Sequence, residues 1–133
     1  MVFPSNAPSP RPATHYELHE PFVDLAPHIH RQRLVVEGVR ETPIAEDEIC
    51  RYLVELGPLL DMVVLIEPVT HLSELYGWSA WVHWETSGAH FYAWDDPVFF
   101  SVDIYTCKAF EPGAAIAFTA EFFKASSVTH REF

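Results

Sequence analysis

The chain has 133 residues, a formal net charge of −11 at pH 7 and two cysteines. A chain of this length buries enough surface to fold as a single domain without a disulfide framework. The negative charge opposes binding to nucleic acid, whose affinity for proteins comes largely from Lys and Arg, and favours a small cationic partner.

No segment reaches the run of about 18 apolar residues that a membrane span requires, and the N-terminus lacks the basic-then-apolar order of a secretory signal. We therefore expect no membrane partner and a cytoplasmic protein. Residues 1–26 hold five prolines and no sustained apolar period, which predicts a flexible arm. The folded domain is expected to span residues 27–133, with a first strand in Arg31–Val39.

The stretch "TPIAEDEICRYLVEL" predicts a helix. Thr42 is the expected N-cap, Pro43 the first helical residue, and an apolar stripe follows at helical spacing. Gly57 and Pro58 are expected to end this helix. The apolar run Met62–Val69 then predicts a buried strand, and "HLSELY" predicts a connecting loop.

Two consecutive strands with strict alternation follow. "GWSAWVHWE" places four residues on one face, Trp78, Ala80, Val82 and Trp84, and Trp81 on the opposite face. After a tight corner at Thr86-Ser87-Gly88, "AHFYAW" places His90, Tyr92 and Trp94 together on one face. Asp95-Asp96-Pro97 predicts a further turn.

"VFFSVDIYTC", residues 98–107, predicts another strand, and Pro112 is expected to open a second helix. The tail "SSVTHREF" predicts a short edge strand. We summarise the order as β-α-β-β-β-α-β. This order predicts an α+β fold, a two-layer sandwich with both helices on one face of a mainly antiparallel sheet.

Common catalytic signatures are absent from the sequence, which has no phosphate loop, GxSxG elbow, HExxH or CxxC. His28 and His30 form an HxH pair, but no third ligand follows nearby, so no metal site is predicted. His71 and His83 stand alone in the sequence. Both are interpreted as surface or hydrogen-bonded core histidines.

A longer-range pattern carries more information. It consists of "GWS" at Gly77–Ser79, a serine at 87, "WDD" at Trp94–Asp96 and "VDIYTC" at Val102–Cys107. From Arg31 to about Lys124 this pattern resembles the prokaryotic S-adenosylmethionine decarboxylases, small pyruvoyl-dependent enzymes that are made as proenzymes. "VDIYTC" at this distance from a serine is the most specific part of the likeness.

The resemblance implies a chemistry for three of these residues. Ser87 would attack the carbonyl of Thr86, cleave the chain there and become the pyruvoyl group, which acts as an electron sink for decarboxylation. Cys107 would return a proton to the substrate after carbon dioxide leaves. Ser79 would assist cleavage by hydrogen bonding near the scissile peptide bond.

Other positions depart from the family pattern. The family has Glu-Ser-His at the cleavage point, whereas this sequence has Thr86-Ser87-Gly88. The histidine that takes a proton during cleavage aligns with Tyr92, and His90 is the candidate replacement. The resemblance assigns substrate binding to Trp94, Asp96 and, in place of a missing adenine-stacking aromatic at Ser73, to Tyr76.

The sequence therefore leaves three functions open. The first is a self-cleaving decarboxylase of S-adenosylmethionine in the polyamine (spermidine) pathway, and the second is a decarboxylase of another amino acid such as arginine or ornithine. The third is a non-cleaving homologue that binds a ligand or a partner protein. The resemblance also implies a homodimer of processed protomers.

Overall fold

A computed structural model describes residues 15–133, and residues 1–14 of the predicted arm lie outside that part. Residues 15–31 contain no helix or strand. In chain order the elements are β1 Gln32–Val39, α1 Glu46–Leu59, β2 Val69–Ser73, β3 Gly77–Trp84, β4 Ser87–Asp95, β5 Val98–Thr106, α2 Pro112–Phe123 and β6 Ser127–Glu132. No helix in residues 15–133 is long and apolar enough to cross a membrane.

The six strands form one antiparallel sheet in the order β2-β3-β4-β5-β1-β6. Both helices contribute to one core on the same face of this sheet, so the predicted two-layer α+β sandwich is confirmed. The opposite face of the sheet, which we call the open face, is covered by no helix of residues 15–133. The predicted order β-α-β-β-β-α-β has three strands between the two helices, whereas the structure has four, β2 to β5.

Strict alternation in β3 and β4 builds the centre of the core. Ala80, Val82 and Trp84 of β3 are buried, and so are Ala89 and Phe91 of β4. The faces predicted from the sequence are therefore confirmed, including the placement of Trp81 opposite its two neighbouring tryptophans. Because a slip of one residue would move every buried side chain to the open face, this alternation fixes the register of the β3–β4 hairpin.

The helices meet through a buried polar contact. The Tyr52 hydroxyl of α1 lies 2.7 Å from Thr119 Oγ1 of α2, and Thr119 in turn donates to the Ala115 carbonyl. The Tyr52 hydroxyl therefore donates to Thr119, which satisfies a polar group that burial would otherwise penalise. Burial raises the pKa of Tyr52 well above its ordinary value, so it stays neutral.

The start of α1 differs from the prediction, because the helix begins at Glu46 with Ala45 as its N-cap. Arg40 accounts for the delay: its guanidinium binds the carbonyls of Thr42 and Pro43 and holds that segment outside the helix. The Glu48 carboxylate accepts the Ala45 N–H and pairs with Arg40. Arg40 therefore lowers the pKa of Glu48 and ties the end of β1 to the start of α1.

The end of α1 also lies beyond the predicted stop. Gly57 and Pro58 both belong to its last turn, and the helix ends at Leu59. Pro58 is tolerated there, and the absence of a side chain at Gly57 admits the Trp84 ring. A Cβ built on Gly57 would lie 3.0 Å from Trp84 Nε1. Gly57 is therefore a packing residue for Trp84.

The predicted buried strand at Met62–Val69 is wrong. Val63, Val64, Leu65 and Ile66 are exposed, and only an isolated bridge joins Val64 to Trp84. The strand β2 lies later, at Val69–Ser73, and its last three residues fall in the segment "HLSELY" that the sequence predicts as a loop. An apolar run predicts burial, but here only Met62 of the run joins the core, and Val64 reaches Gly57 of α1 while its side chain stays half exposed.

Candidate active site

The connection between β3 and β4 is a two-residue turn formed by Glu85 and Thr86. Trp84 and Ser87 pair directly across it, and both belong to strands. The predicted corner at Thr86-Ser87-Gly88 is therefore misplaced. Burial explains the difference, because Trp84 is fully buried and Ala89 is 2% exposed, so the register of the hairpin leaves only two residues for the turn.

Thr86 has an unusual backbone. Its φ is 56°, in the left-handed region that glycine and asparagine normally occupy in turns. Of the three non-glycine residues with positive φ in residues 15–133, Thr86 is the one with a β-branched side chain. Its hydroxyl donates to the Glu85 carbonyl at 2.7 Å. Backbone strain is thus concentrated on the residue whose carbonyl is bonded to the Ser87 nitrogen.

Ser87 is buried at the first position of β4, with 6% of its surface exposed. It shares the helix side of the sheet with Trp84 and Ala89. Its Oγ accepts the backbone N–H of Cys107 at 3.2 Å. The hairpin and the end of β5 therefore bring together two of the residues that the sequence predicts, Ser87 and Cys107.

A cavity of ≈ 690 Å³ opens on the open face beside Ser87. Its walls come from four strands and the turn, which together contribute Arg33, Trp81, Val82, His83, Thr86, Ser87, Gly88, Ala89, His90, Asp103 and Tyr105. The volume lies within the range of small-molecule sites. Since Thr86 and Ser87 form part of its wall, a ligand in this cavity would contact both residues.

An ion pair crosses the cavity wall between β1 and β5. Arg33 Nε donates to Asp103 Oδ1 at 3.0 Å, and Arg33 Nη2 donates to Asp103 Oδ2 at 2.8 Å. The Asp103 carboxylate raises the pKa of Arg33 above its ordinary value. Asp103 belongs to the "VDIYTC" segment and is the cross-strand neighbour of His90.

Gly88 forms the gap in the cavity wall. It pairs with His83 on one side and Tyr105 on the other, so its missing side chain leaves space between two ring-bearing residues. A Cβ built at Gly88 would lie 2.9 Å from the Val82 carbonyl oxygen and 4.0 Å from His83 Nδ1. The histidine that the family pattern has at this position would therefore not fit the hairpin as it stands.

The other predicted site residues lie away from Ser87. Ser79 and Tyr92 pair across β3 and β4. They line a smaller pocket of ≈ 190 Å³ together with Tyr76 and Trp94. Tyr92 is five positions along β4 from Ser87, roughly 17 Å at the usual strand rise, and points to the opposite face.

His90 and Asp96 complete the set. His90 lies on the open face three positions from Ser87, roughly 10 Å along the strand, and contributes to the large cavity. Asp96 is exposed in the turn after β4, nine positions and roughly 30 Å from Ser87. The chain thus places the predicted residues in two groups, one around Ser87 and Cys107 and one around Ser79 and Tyr92.

Several features of the cavity are missing from the sequence prediction. His83 stands alone in the sequence, and only the hairpin register places it beside Gly88. Arg33 and Asp103 come from distant strands, although the alternation in "VDIYTC" places Asp103 on the same face as Tyr105. Within residues 15–133 no group of three or more His, Cys, Asp or Glu could hold a metal ion.

Comparison with known proteins extends these observations. A family model described as S-adenosylmethionine decarboxylase matches residues 36–133. The crystal structure of the adenosylmethionine decarboxylase from Aquifex aeolicus VF5 is similar, with a TM-score of 0.65 and 11% identity over 79% of this chain and 89% of that chain. At that identity the structural likeness concerns the fold. No curated protein matches the sequence.

We expect the substitution Gly88→Ala to lower the free energy of unfolding by about 1–3 kcal/mol, because the new Cβ must displace backbone in a fully paired hairpin. Chemical denaturation of both proteins measures the difference. Gly113→Ala is the matched control, since a Cβ there makes an ordinary 3.7 Å contact with the Glu111 side chain. Equal stability of the Gly88→Ala variant and the parent would contradict the tight packing at Gly88.

Proposed function

Since the chain belongs to the S-adenosylmethionine decarboxylase family, we propose that it is a pyruvoyl-dependent decarboxylase that cleaves itself between Thr86 and Ser87. The observation that carries this proposal is the left-handed backbone of Thr86, with a φ of 56°, directly before the buried Ser87. A strained residue at that peptide bond is what an internal cleavage reaction would use.

Self-cleavage starts with an acyl shift. Ser87 Oγ attacks the Thr86 carbonyl carbon, the C–N bond breaks, and the Ser87 nitrogen becomes an amine that takes up the hydroxyl proton. The resulting ester link is longer than the amide, because it runs through Oγ and Cβ. We expect this extra length to release the backbone strain at Thr86. The strain raises the free energy of the uncleaved chain and thereby lowers the activation free energy of the acyl shift.

The surroundings of Ser87 fit the prosthetic group that this reaction would produce. The large cavity opens beside residue 87, and the Cys107 N–H that binds Ser87 Oγ is placed to bind an oxygen there. A pyruvoyl group supplies the electron sink for loss of carbon dioxide from an amino acid. In this role Cys107 would hold the proton that replaces the lost carboxyl group, as the family pattern implies.

S-adenosylmethionine in polyamine (spermidine) biosynthesis is the proposed substrate. Its sulfonium and amino groups are cationic, which suits a protein with a net charge of −11. Arginine and ornithine are the alternative substrates, because the family's adenine-stacking aromatic is replaced here by Ser73. Release of carbon dioxide from each of the three compounds distinguishes them.

A homodimer is part of this proposal. Tyr92, Trp94 and Asp96 lie roughly 17 to 30 Å along β4 from Ser87 in the same protomer, too far to act with it on one small substrate. A second copy facing the open side of the sheet could bring its own Ser79–Tyr92 group to the cavity. The open face suits such contact, since Trp81, Tyr92 and Tyr105 are each 39–47% exposed there.

A non-cleaving homologue is the second candidate function. Tyr92 stands where the family has a histidine, and a phenol hydroxyl, unlike a neutral imidazole, carries no basic ring nitrogen that could accept the proton. In that case the same cavity would bind a small ligand or contact a partner protein without a covalent change at Ser87. Whether the purified chain cleaves itself separates the two functions.

We expect the purified full-length protein to convert from one 15.2 kDa species into two fragments divided between Thr86 and Ser87. Intact-mass spectrometry over time follows the conversion. The control Ser87→Ala lacks the attacking hydroxyl and should stay whole. A wild-type chain that remains a single 15.2 kDa species after prolonged incubation rejects self-cleavage and favours the non-cleaving homologue.

The substitution Thr86→Gly should slow self-cleavage about tenfold, because glycine accepts a positive φ without strain. The same change made in a Ser87→Ala background should raise the melting temperature, since it relieves strain in the uncleaved fold. Glu85→Gly, at the turn position without a positive φ, is the matched control for turn flexibility. Cleavage of Thr86→Gly at the wild-type rate would reject a contribution from strain.

A further inference from the structure

Self-cleavage needs a base after the acyl shift, and this requirement rests on the proposed function. In the ester, the α-proton of Ser87 must leave so that its electrons form a Cα–Cβ double bond. The Cβ–Oγ bond then breaks and Thr86 departs as a carboxylate. Water adds to the dehydroalanine that remains, ammonia leaves, and a pyruvoyl group results. The position of Ser87 in the sheet determines where the base must stand.

The backbone of Ser87 borders the cavity. The Ser87 side chain lies on the helix side of the sheet together with its cross-strand partner Trp84. In a sheet the Cα–H bond lies near the plane of the strands, and the helix side of Ser87 is filled by Trp84 and the rest of the core. A base that takes this proton must therefore approach from the open face.

His83 stands at that place. It is the cross-strand partner of Gly88, the residue next to Ser87, and it lines the same cavity as Ser87. Its Nδ1 lies 4.0 Å from the point where a Gly88 Cβ would be, so the imidazole covers the gap that the glycine leaves. The ring is thus adjacent to the backbone that reacts, and we propose that His83 is the base that removes the α-proton of Ser87.

The missing side chain at Gly88 leaves the space that the His83 ring occupies. The family pattern has a histidine directly after the cleaved serine, and this chain has glycine there. A side chain at position 88 would press on the Val82 carbonyl oxygen at 2.9 Å. The strand β3 instead supplies an imidazole to the same space from across the hairpin. The chain thereby keeps a histidine beside the cleavage point while the hairpin stays tightly paired.

Other groups are less well placed for this step. His90 is on the open face but roughly 10 Å along β4 from Ser87, and Tyr92 is roughly 17 Å away. The Asp103 carboxylate is engaged by two hydrogen bonds from Arg33. Glu85 lies in the turn and does not line the cavity.

The test compares His83→Ala with two control variants, His130→Ala on the edge strand β6 and Glu85→Gln, in the full-length protein. Intact-mass spectrometry measures the rate of cleavage. Loss of a positioned base should slow His83→Ala at least about 100-fold, whereas both controls should stay within about threefold of wild type. Added imidazole should restore cleavage of His83→Ala, which it would not do for a purely structural defect.

Hydroxylamine isolates the step at which His83 acts. The acyl shift needs no α-proton removal, so the ester should still form in His83→Ala, and hydroxylamine should cut it between residues 86 and 87. The C-terminal fragment would then begin with an intact serine instead of a pyruvoyl group, a difference that mass spectrometry resolves.

Each outcome decides the role of His83. Slow cleavage that imidazole rescues, together with hydroxylamine cutting, supports His83 as the base. Cleavage of His83→Ala at the wild-type rate overturns it while self-cleavage stands, and so does a slow variant that responds to neither reagent. A wild-type chain that neither cleaves itself nor reacts with hydroxylamine overturns the proposed function and the role of His83 together.

Discussion

The pairing of Trp84 with Ser87 is the constraint on which the site depends. Trp84 is held by the core and by Gly57 of α1, and Ser87 is buried beside it, so the two strands cannot slide. Only Glu85 and Thr86 remain to join them. The left-handed backbone of Thr86 follows from this short connection, and the register places His83 beside Gly88 at the same time. Core packing thus determines both the strain and the neighbours of Ser87.

The same sheet divides the predicted site residues into two groups. Ser87 and Cys107 meet at one end of β4, while Ser79 and Tyr92 pair near the other end. A sheet of fixed strands cannot bring these groups together within one protomer. The proposed dimer resolves this separation, because an open face that carries exposed aromatic side chains can meet a second copy. The large cavity beside Ser87 would then be closed by that copy.

Some features of the fold and of the site can be predicted from local sequence patterns, and others depend on tertiary contacts. The alternation in "GWSAWVHWE" and "AHFYAW" is strict, and the faces of β3 and β4 follow it. The run Met62–Val69 misleads, because hydrophobicity alone does not show which of its side chains the core covers: Met62 is buried, whereas Val63–Ile66 are exposed. Thr42 has the chemistry of an N-cap, but Arg40 binds the carbonyls of Thr42 and Pro43 and delays the helix. Arg40 also donates to the carbonyl of Phe123 in α2, a tertiary contact that no local motif encodes. Ser87 and Cys107 were found through a family pattern, whereas His83 depends on a register that no local motif encodes.

The central claim is that Ser87 becomes a ketone, and a carbonyl reagent tests it most directly. Purified protein can be treated with phenylhydrazine and its C-terminal fragment analysed by mass spectrometry. The account predicts a fragment of residues 87–133 that carries one hydrazone at residue 87 and has no free N-terminal amine. An unmodified whole chain, or a fragment that begins with an ordinary serine, would contradict it.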